Sequence, residues 1–170
     1  MNVHLGAASA APTASTTGAG PAIEANDLAK MYGDLTALNG LSFAVAPGTV
    51  FGLLGPNGAG KSTTIKILTT LTLPTAGSAT VAGIDVLRRP DGVRSAIGVV
   101  AQRSGTDPQA TGRENLLLTG RIHGMRGDQV KDRADELLDR FGLTEAASRT
   151  VRTYSGGMQR KLDVAMGLMH

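Results

Sequence analysis

The sequence predicts an α/β fold in which a strand-rich core is followed by a helical subdomain. Three observations predict this class. Short apolar runs typical of β-strands recur between residues 41 and 102. A glycine-rich stretch, GPNGAGKST at 55–63, directly follows one of these runs. After Asp107, two longer segments carry apolar residues at the helical period. The chain has 170 residues, which is enough for one domain with a buried core.

Composition excludes several classes of protein. The formal net charge is only +3, and Arg88-Arg89 is the sole pair of adjacent arginines, so nucleic-acid binding is not expected. The chain has no cysteine, which excludes disulfides and thiolate zinc sites and is typical of cytosolic proteins. No apolar run approaches the roughly 18 residues of a membrane-spanning helix.

The first 21 residues are nearly all Ala, Ser, Thr, Gly and Pro. No Lys or Arg precedes their weak apolar stretch, which argues against a secretory signal. Because such a segment has too little apolar surface to offset its ordering entropy, residues 1–21 are predicted to be a disordered tail. Folded structure is expected to begin near Ile23.

The core is predicted from short strands and one helix. The run LSFAVA alternates in polarity, so one face is expected to be buried and the strand to end at Pro47-Gly48. The run VFGLL is apolar almost throughout, as in a strand covered on both faces. The segment STTIKILTTLT favours a strand by propensity alone, but the loop before it predicts a helix that opens at Lys61. The predicted elements are strand 41–46 with Leu41, Phe43 and Val45 on one face, strand 50–54, helix 61–72, strand 77–83 and strand 96–102.

Residues 111–123 and 128–141 are predicted as helices. In the second, apolar residues recur on one face, and Gly142 follows as a C-terminal cap. That face comprises Val130, Ala134, Leu137, Leu138 and Phe141. The predicted organisation is a tail at 1–21, an α/β core at 22–106, a helical subdomain at 107–154, and a helix at 155–170 that returns to the core.

The stretch GPNGAGKST has the chemistry of a polyphosphate-binding loop. It fits the pattern G-x-x-x-x-G-K-[ST] with Gly55, Gly60, Lys61 and Ser62, between a predicted strand and a predicted helix. Glycines allow backbone N–H groups to approach an anion closely, and a helix N-terminus carries partial positive charge. Lys61 adds a full charge toward the β- and γ-phosphates, and the Ser62 hydroxyl is placed to ligate Mg²⁺. The alternative is a glycine-rich turn that matches by chance.

GTPases, kinases and motor proteins share such a loop, so a second motif is needed to name the reaction. In YSGGMQRK, Ser155 is the predicted N-cap of a helix, with Gly156 and Gly157 behind it. These residues offer a second set of exposed helix-terminal amides. Two chains facing each other could use both sets, each chain covering the nucleotide of the other. The alternative is an ordinary capped helix.

The two motifs in this order resemble the ATP-binding cassette (ABC) family. GPNGAGKST looks like its Walker A loop, and YSGGMQRKLDVA looks like its signature motif, over a resemblance from about Ile23 to the last residue. It implies a P-loop NTPase core of the ABC ATPase type with an inserted helical subdomain. Tyr154 stands where the common L-S-G-G-Q signature has Leu, and Met158 stands at the Gln position. This variant looks like the drug- and antibiotic-resistance exporter branch, of the daunorubicin-resistance type.

The resemblance implies roles for individual residues. Tyr32 matches the aromatic residue that stacks on adenine; otherwise it is a tyrosine at a strand end. Gln102 matches the glutamine that reaches Mg²⁺ and the attacking water; otherwise it is a polar residue ending a strand. Lys61 and Gln102 are thus the candidate catalytic residues, and Ser62 and Gln102 the candidate metal ligands. The implied nucleotide contacts are Tyr32, Gly55, Pro56, Asn57, Gly58, Ala59, Gly60, Lys61, Ser62, Thr63 (at the α-phosphate), Thr64, Ser155, Gly156 and Gly157.

The resemblance also implies partners: ATP and Mg²⁺, a second cassette in a head-to-tail homodimer, and a separate membrane permease that exports a compound. The chain would then lie in the cytoplasm, on the inner face of the membrane. One alternative is a soluble cassette ATPase that acts on DNA or ribosomes. The short spacing between the two motifs excludes the DNA-repair type, which carries a long coiled coil there. The other alternative is a nucleotide-dependent docking module without chemistry.

The family's remaining catalytic groups are not expected within these residues. The chain ends in DVAMGLMH without a helix stop signal, so it is expected to end inside a helix. In the family this helix leads to a buried strand ending in Asp-Glu, and later to a switch histidine. No acidic pair here follows a buried apolar strand, and His4, His123 and His170 are expected to be surface residues. The sequence therefore predicts a cassette whose core is incomplete at the C-terminus, poorly soluble and without ATPase activity by itself.

Overall fold

The computed structural model describes residues 7–8 and 20–170, and the chain divides into two compact units between Ala96 and Ile97. Most of the predicted tail, residues 1–21, lies outside the described residues. The elements of the first unit are β1 Ala7–Ala8, β2 Ile23–Tyr32, β3 Leu35–Val45, β4 Gly52–Leu53, α1 Lys61–Leu68, β5 Ala76–Val81, β6 Ile84–Asp85 and α2 Pro90–Ala96.

The first unit is built on a four-stranded antiparallel sheet in the order β3-β2-β5-β6. Strands β2 and β3 form a hairpin in which Tyr32 pairs with Leu35, and Gly33 begins the two-residue turn at a φ of 57°. Along β3, residues 41–45 alternate between covered and exposed as predicted, with Val45 buried. The buried apolar side chains of this unit are Ala25, Leu28, Leu38, Val45, Ile67, Leu68, Ala79, Val81, Val86 and Val93.

Helix α1 begins at Lys61 as predicted but ends at Leu68, before the predicted 72. Thr70 has a φ of 61°, and the N–H groups of Leu71 and Thr72 both donate to the Lys66 carbonyl at 2.7 and 3.2 Å. A left-handed residue followed by such back-bonds terminates a helix. The threonine-rich end of the segment, whose helix propensity is low, therefore forms the cap.

The prediction of a buried strand over residues 50–54 is wrong. Only Gly52–Leu53 forms a ladder, and it pairs antiparallel with Ala7–Ala8. The side chains of Val50 and Leu54 are 94% and 63% exposed. An apolar run indicates that a strand tends to be buried, but burial on both faces also requires layers that cover them. In the described part of the chain no such layers enclose this run.

The second unit is helical, as predicted. It contains α3 Gly112–Ile122, α4 Gly127–Arg140, α5 Gly156–Gly167 and 3₁₀ turns at Thr144–Ala146 and Val151–Thr153. These elements enclose a single cluster of buried residues, made of Leu116, Val130, Ala134, Leu137, Leu138, Leu143, Ala146, Ala147, Val151, Tyr154, Leu162, Ala165 and Met169. Helix α5 thus belongs to the core of this unit, whereas the boundaries 107–154 and 155–170 stay predictions.

The ends of these helices follow from local sequence. Thr111 and Glu114 form a capping box at the start of α3, in which each side chain accepts the backbone N–H of the other. At the end of α4, Gly142 has a φ of 64° and the Leu143 N–H donates to the Leu138 carbonyl at 2.7 Å. This 6→1 bond is a Schellman motif, so the predicted glycine cap is confirmed.

The predicted strand 96–102 is also wrong. Ala96 ends α2, and residues 97–101 pair with no strand among the described residues. Instead Gly98 lies against the Gly167 carbonyl at the end of α5, so closely that a Cβ on Gly98 would overlap it. The segment was expected to be a strand because it is apolar and β-branched, but its neighbour is a helix and a helix offers no ladder. None of the described helices combines the length and apolar character needed to span a bilayer.

Tyr154, the residue that departs from the common signature, is a core residue of the second unit. It is 6% exposed, and its hydroxyl donates to the Ala146 carbonyl at 2.7 Å. Burial raises the pKa of the Tyr154 phenol, so the hydroxyl remains a protonated donor. The hydroxyl also lies against Gly112, where any Cβ would overlap it. A tyrosine at 154 therefore requires a glycine at 112.

Gly112→Ala should lower the free energy of unfolding by about 1–3 kcal/mol, because the added methyl group overpacks against the Tyr154 hydroxyl. Gly156→Ala is the matched control, since Gly156 also begins a helix and nothing lies within 4 Å of the position of its Cβ. Urea unfolding followed by circular dichroism compares the two variants. In a Tyr154→Phe background Gly112→Ala should cost less, and an unchanged cost there would contradict the direct contact.

Candidate functional site

The glycine-rich loop joins β4 to α1 in the first unit. Residues 55–58 are exposed, Ala59 is half-buried and Gly60 is buried. The Ala59 N–H donates to the Pro56 carbonyl at 3.2 Å, which closes a turn, and Gly58 has a φ of 83°. The predicted loop between a strand and a helix is therefore present, with its tip open to solvent.

Gly60 fixes the base of this loop. It is the N-cap of α1 with a φ of 88°, a left-handed conformation that side chains disfavour. A Cβ at Gly60 would lie 2.6 Å from the Ala37 carbonyl oxygen and 3.0 Å from Leu38 Cδ1. Both conformation and space therefore demand glycine, and the start of α1 is pressed against β3.

The first turn of α1 presents free backbone donors. The N–H groups of Lys61, Ser62 and Thr63 precede the first intrahelical bond, which runs from Thr64 N–H to the Gly60 carbonyl at 2.8 Å. Nothing within residues 20–170 accepts a hydrogen bond from these three groups. Free N–H groups at a helix N-terminus attract anions through their partial positive charge.

The Lys61 side chain folds back over the loop. Its Nζ donates to the carbonyl oxygens of Gly55 and Pro56 at 2.6 and 2.7 Å. No carboxylate of the described residues lies within salt-bridge distance of Lys61, so its charge is not neutralised by an acidic side chain there. The loop thus gathers an ammonium group and backbone donors in one place.

The hydroxyl groups of the loop differ in exposure. Ser62 is exposed and Thr63 is half-buried. Thr64 is fully buried, and its hydroxyl donates to the Gly60 carbonyl at 3.0 Å. Thr64 therefore secures the first turn of α1, and its contact with nucleotide stays a prediction. Residues 20–170 contain no cluster of three or more acidic or histidine side chains that could hold a metal by themselves.

Tyr32 lies at the turn end of the β2–β3 hairpin and is 46% exposed. The ammonium group of Lys30 lies 4.9 Å from the centre of its ring, within cation–π distance. Lys30 pairs in register with Leu38, the residue against which Gly60 packs. Tyr32 therefore lies on β2 two residues after Lys30, whose partner Leu38 supports the base of the loop. Lys30 was missed in the sequence, although alternation in a strand places residues two apart on one face.

The other predicted site residues belong to the second unit. Ser155 is the N-cap of α5 as predicted, and its hydroxyl accepts the Met158 N–H at 3.3 Å. Gly156 and Gly157 follow it and are exposed, as is Gln102 in the loop before α3. Two further residues, Arg160 and Asp163, were missed in the sequence; their signal is a pair of opposite charges three residues apart on the helix that Ser155 caps.

The chain matches known proteins along most of its length. The model of the family described as ABC transporter matches residues 38–170. A daunorubicin resistance ATP-binding protein of Streptomyces coeruleorubidus is 49% identical over 150 residues, which covers 88% of this chain and 47% of that protein. A doxorubicin resistance ATP-binding protein of Mycobacterium tuberculosis (strain CDC 1551 / Oshkosh) is 49% identical, over 87% of this chain and 45% of that protein. The chain thus spans about half the length of these relatives.

Among solved structures, cbiO1 of Clostridium perfringens, part of the ABC transporter complex cbiONQ, matches with a TM-score of 0.78 at 23% identity. The match covers 88% of this chain and 62% of that chain. This likeness confirms the fold class, an α/β P-loop core with a helical subdomain. The family model and the two relatives confirm the resemblance indicated by the two motifs, and the chain belongs to the ATP-binding proteins of the ABC transporter family.

Proposed function

We propose that the loop at 55–63 binds the phosphates of ATP, and that this is the central function of the chain. The observation that carries the proposal is the set of free donors at the start of α1, held open by Gly60 and joined by Lys61. A polyphosphate would accept these N–H groups, and the Lys61 ammonium would exchange the carbonyls of Gly55 and Pro56 for phosphate oxygens.

Mg²⁺ would arrive with the phosphates. The exposed Ser62 hydroxyl is the ligand that the first unit offers, and phosphate oxygens and water would complete the shell, as Mg²⁺ prefers. Gln102 is the second proposed ligand, and it belongs to the second unit. Its side chain would also orient the attacking water.

Tyr32 is proposed as the platform for adenine. The Lys30 ammonium lies over one face of its ring, and the base is proposed to stack on the opposite face. Nearly half of the side chain is exposed, an arrangement that suits a stacking residue. Thr63 is proposed to contact the α-phosphate.

The Ser155–Gly157 segment is proposed to cover the nucleotide of a second copy of this chain. Its exposed glycines stand at the N-terminus of α5, where their N–H groups precede the first intrahelical bond, from the Gln159 N–H to the Ser155 carbonyl at 2.9 Å. In such a head-to-tail homodimer, each ATP is held by the loop of one chain and the Ser155 segment of the other, and the charge of the transferred phosphoryl group is balanced from both sides.

Hydrolysis needs a group that polarises water. The sole adjacent Asp-Glu pair of the sequence, Asp135-Glu136, lies on α4. Both side chains are more than half exposed and are paired with Arg113 and Arg133. We propose that residues 20–170 do not supply the group that polarises water, so that this stretch alone does not hydrolyse ATP.

The biological role proposed is export. The relatives are resistance proteins for daunorubicin and doxorubicin, and cbiO1 is part of a transporter complex. By this likeness the chain would act on the inner face of the cell membrane, where ATP binding drives a separate permease that exports a drug-like compound. The whole protein would supply that coupling, since the chain spans about half the length of these relatives.

Lys61→Ala should weaken binding of MgATP about 10- to 100-fold, which is the range for losing a charge-assisted hydrogen bond. Lys66→Ala is the matched control, because Lys66 is an exposed residue of the same helix and its replacement removes the same charge. Titration with a fluorescent nucleotide measures both variants, and circular dichroism checks that they fold. Equal affinities of wild type and Lys61→Ala would refute the loop assignment. Neither the wild-type chain nor Lys61→Ala should release phosphate from ATP above background.

Tyr32→Ala should weaken ATP and ADP alike, by about 1–3 kcal/mol, if stacking on adenine resembles stacking in single-strand binders. Tyr32→Phe keeps the ring and should bind as wild type does. Competition by inorganic triphosphate, which has no base, should be unchanged in both variants. If Tyr32→Ala loses triphosphate affinity to the same degree, then Tyr32 supports the fold of the loop and does not stack on adenine.

A further inference from the structure

The loop that carries Gln102 is tied to helix α5 on both of its arms. On the first arm, Arg160 Nη1 donates to the Ala101 carbonyl at 2.7 Å. On the second arm, Asp163 Oδ1 accepts from Ser104 Oγ and from the Gly105 N–H, each at 3.0 Å. Gln102 therefore lies between two anchored points of the loop, Ala101 directly before it and Ser104 two residues after it.

Asp163 is unusual for a charged residue because it is buried. It is 8% exposed and lies among the buried residues of α5. A carboxylate is costly to bury unless hydrogen bonds compensate it, and here Ser104 and Gly105 of the Gln102 loop donate both of them. The burial of Asp163 therefore depends on that loop being in place, and the loop depends on Asp163.

One face of α5 makes all of these contacts. Arg160 and Asp163 are three residues apart, which places them side by side on a helix. Gly167 continues the same face one turn later and packs against Gly98 and Val100 at the beginning of the segment. Ser104 extends the network, because its hydroxyl lies 2.8 Å from the Thr106 hydroxyl. The segment 98–105 is thus fastened along α5 from end to end.

We infer that Arg160 and Asp163 are positioning residues that hold Gln102 in a fixed relation to the helix capped by Ser155. The inference rests on the proposed role of Gln102 at the nucleotide. A rigid helix with Ser155 at its start and the Gln102 loop on its side moves as one body. The segment that covers a nucleotide and the side chain that reaches Mg²⁺ and water are then displaced together.

The bonds of Arg160 and Asp163 to residues 101, 104 and 105 form a clamp on the Gln102 loop. A first experiment tests this clamp without any nucleotide. The chain has no cysteine, so a nitroxide on Arg103→Cys reports on this loop alone. In Asp163→Ala the spectrum should change from slow to fast motion, because the acceptor of both bonds is gone. Asp163→Asn keeps an acceptor oxygen in the same place and should restore slow motion. Asp132→Ala, an exposed acidic residue of α4, is the control and should leave the spectrum unchanged.

If Asp163→Ala does not fold, Arg160→Met tests the other arm, since Arg160 is exposed. It should likewise mobilise the nitroxide. A spectrum that stays slow in Asp163→Ala, or in Arg160→Met when that variant is needed, would overturn the inference.

A second experiment tests the function of the clamp in the full-length, ATP-hydrolysing protein. Asp163→Ala should lower kcat about 10- to 100-fold, the range for groups that orient a ligand, with little change in the KM for ATP. If Asp163 acts through Gln102, the double variant with Gln102→Ala should be no slower than Gln102→Ala alone. Independent, multiplying losses would show that Asp163 is merely structural. If Gln102→Ala itself leaves kcat unchanged, the proposed role of Gln102 fails, and the nitroxide result still decides whether the clamp exists.

Discussion

The contact between Gly60 and β3 is the constraint on which the first unit's site depends. The left-handed backbone at Gly60 and the Ala37 carbonyl that excludes a Cβ fix where the loop ends and α1 begins. That boundary determines which N–H groups remain free, because the first three residues of a helix have no acceptor within it. The same hairpin carries Tyr32 and Lys30, so the proposed sites for base and phosphates share one support.

The second unit uses buried polar contacts in a comparable way. Tyr154 and Asp163 are both core residues whose polar atoms reach the backbone, at Ala146 and Gly105 respectively. Each contact fixes the chain next to an exposed segment. Tyr154 directly precedes Ser155–Gly157, and Asp163 holds the loop just after Gln102. In this unit the residues proposed to meet ligand, Gln102 and Ser155–Gly157, are thus exposed, and buried neighbours determine their positions.

Motifs and caps were readable from the sequence, because a loop of fixed spacing, an N-cap serine and a C-terminal glycine act through near neighbours. The alternation over 41–45 and the buried face of α4 were also readable, since the spacing of apolar residues along an element indicates which of its faces is buried. Strands 50–54 and 96–102 were not, because a ladder needs a partner that no local pattern supplies. The burial of Thr64, the pairing of Lys30 with Tyr32 and the bonds of Asp163 to residues 104–105 likewise depend on tertiary packing.

The most direct test of the account is to map the amides that respond to a polyphosphate. In the uniformly ¹⁵N-labelled chain, Mg-triphosphate should shift the backbone N–H resonances of Gly58 and of residues 60–63, because these donors are free and would bind phosphate oxygens. Resonances of α4, which belongs to the second compact unit and carries none of the proposed phosphate contacts, should not move. Shifts confined to residues outside 55–63, with the loop unchanged at saturation, would contradict the central claim that this loop is the phosphate site.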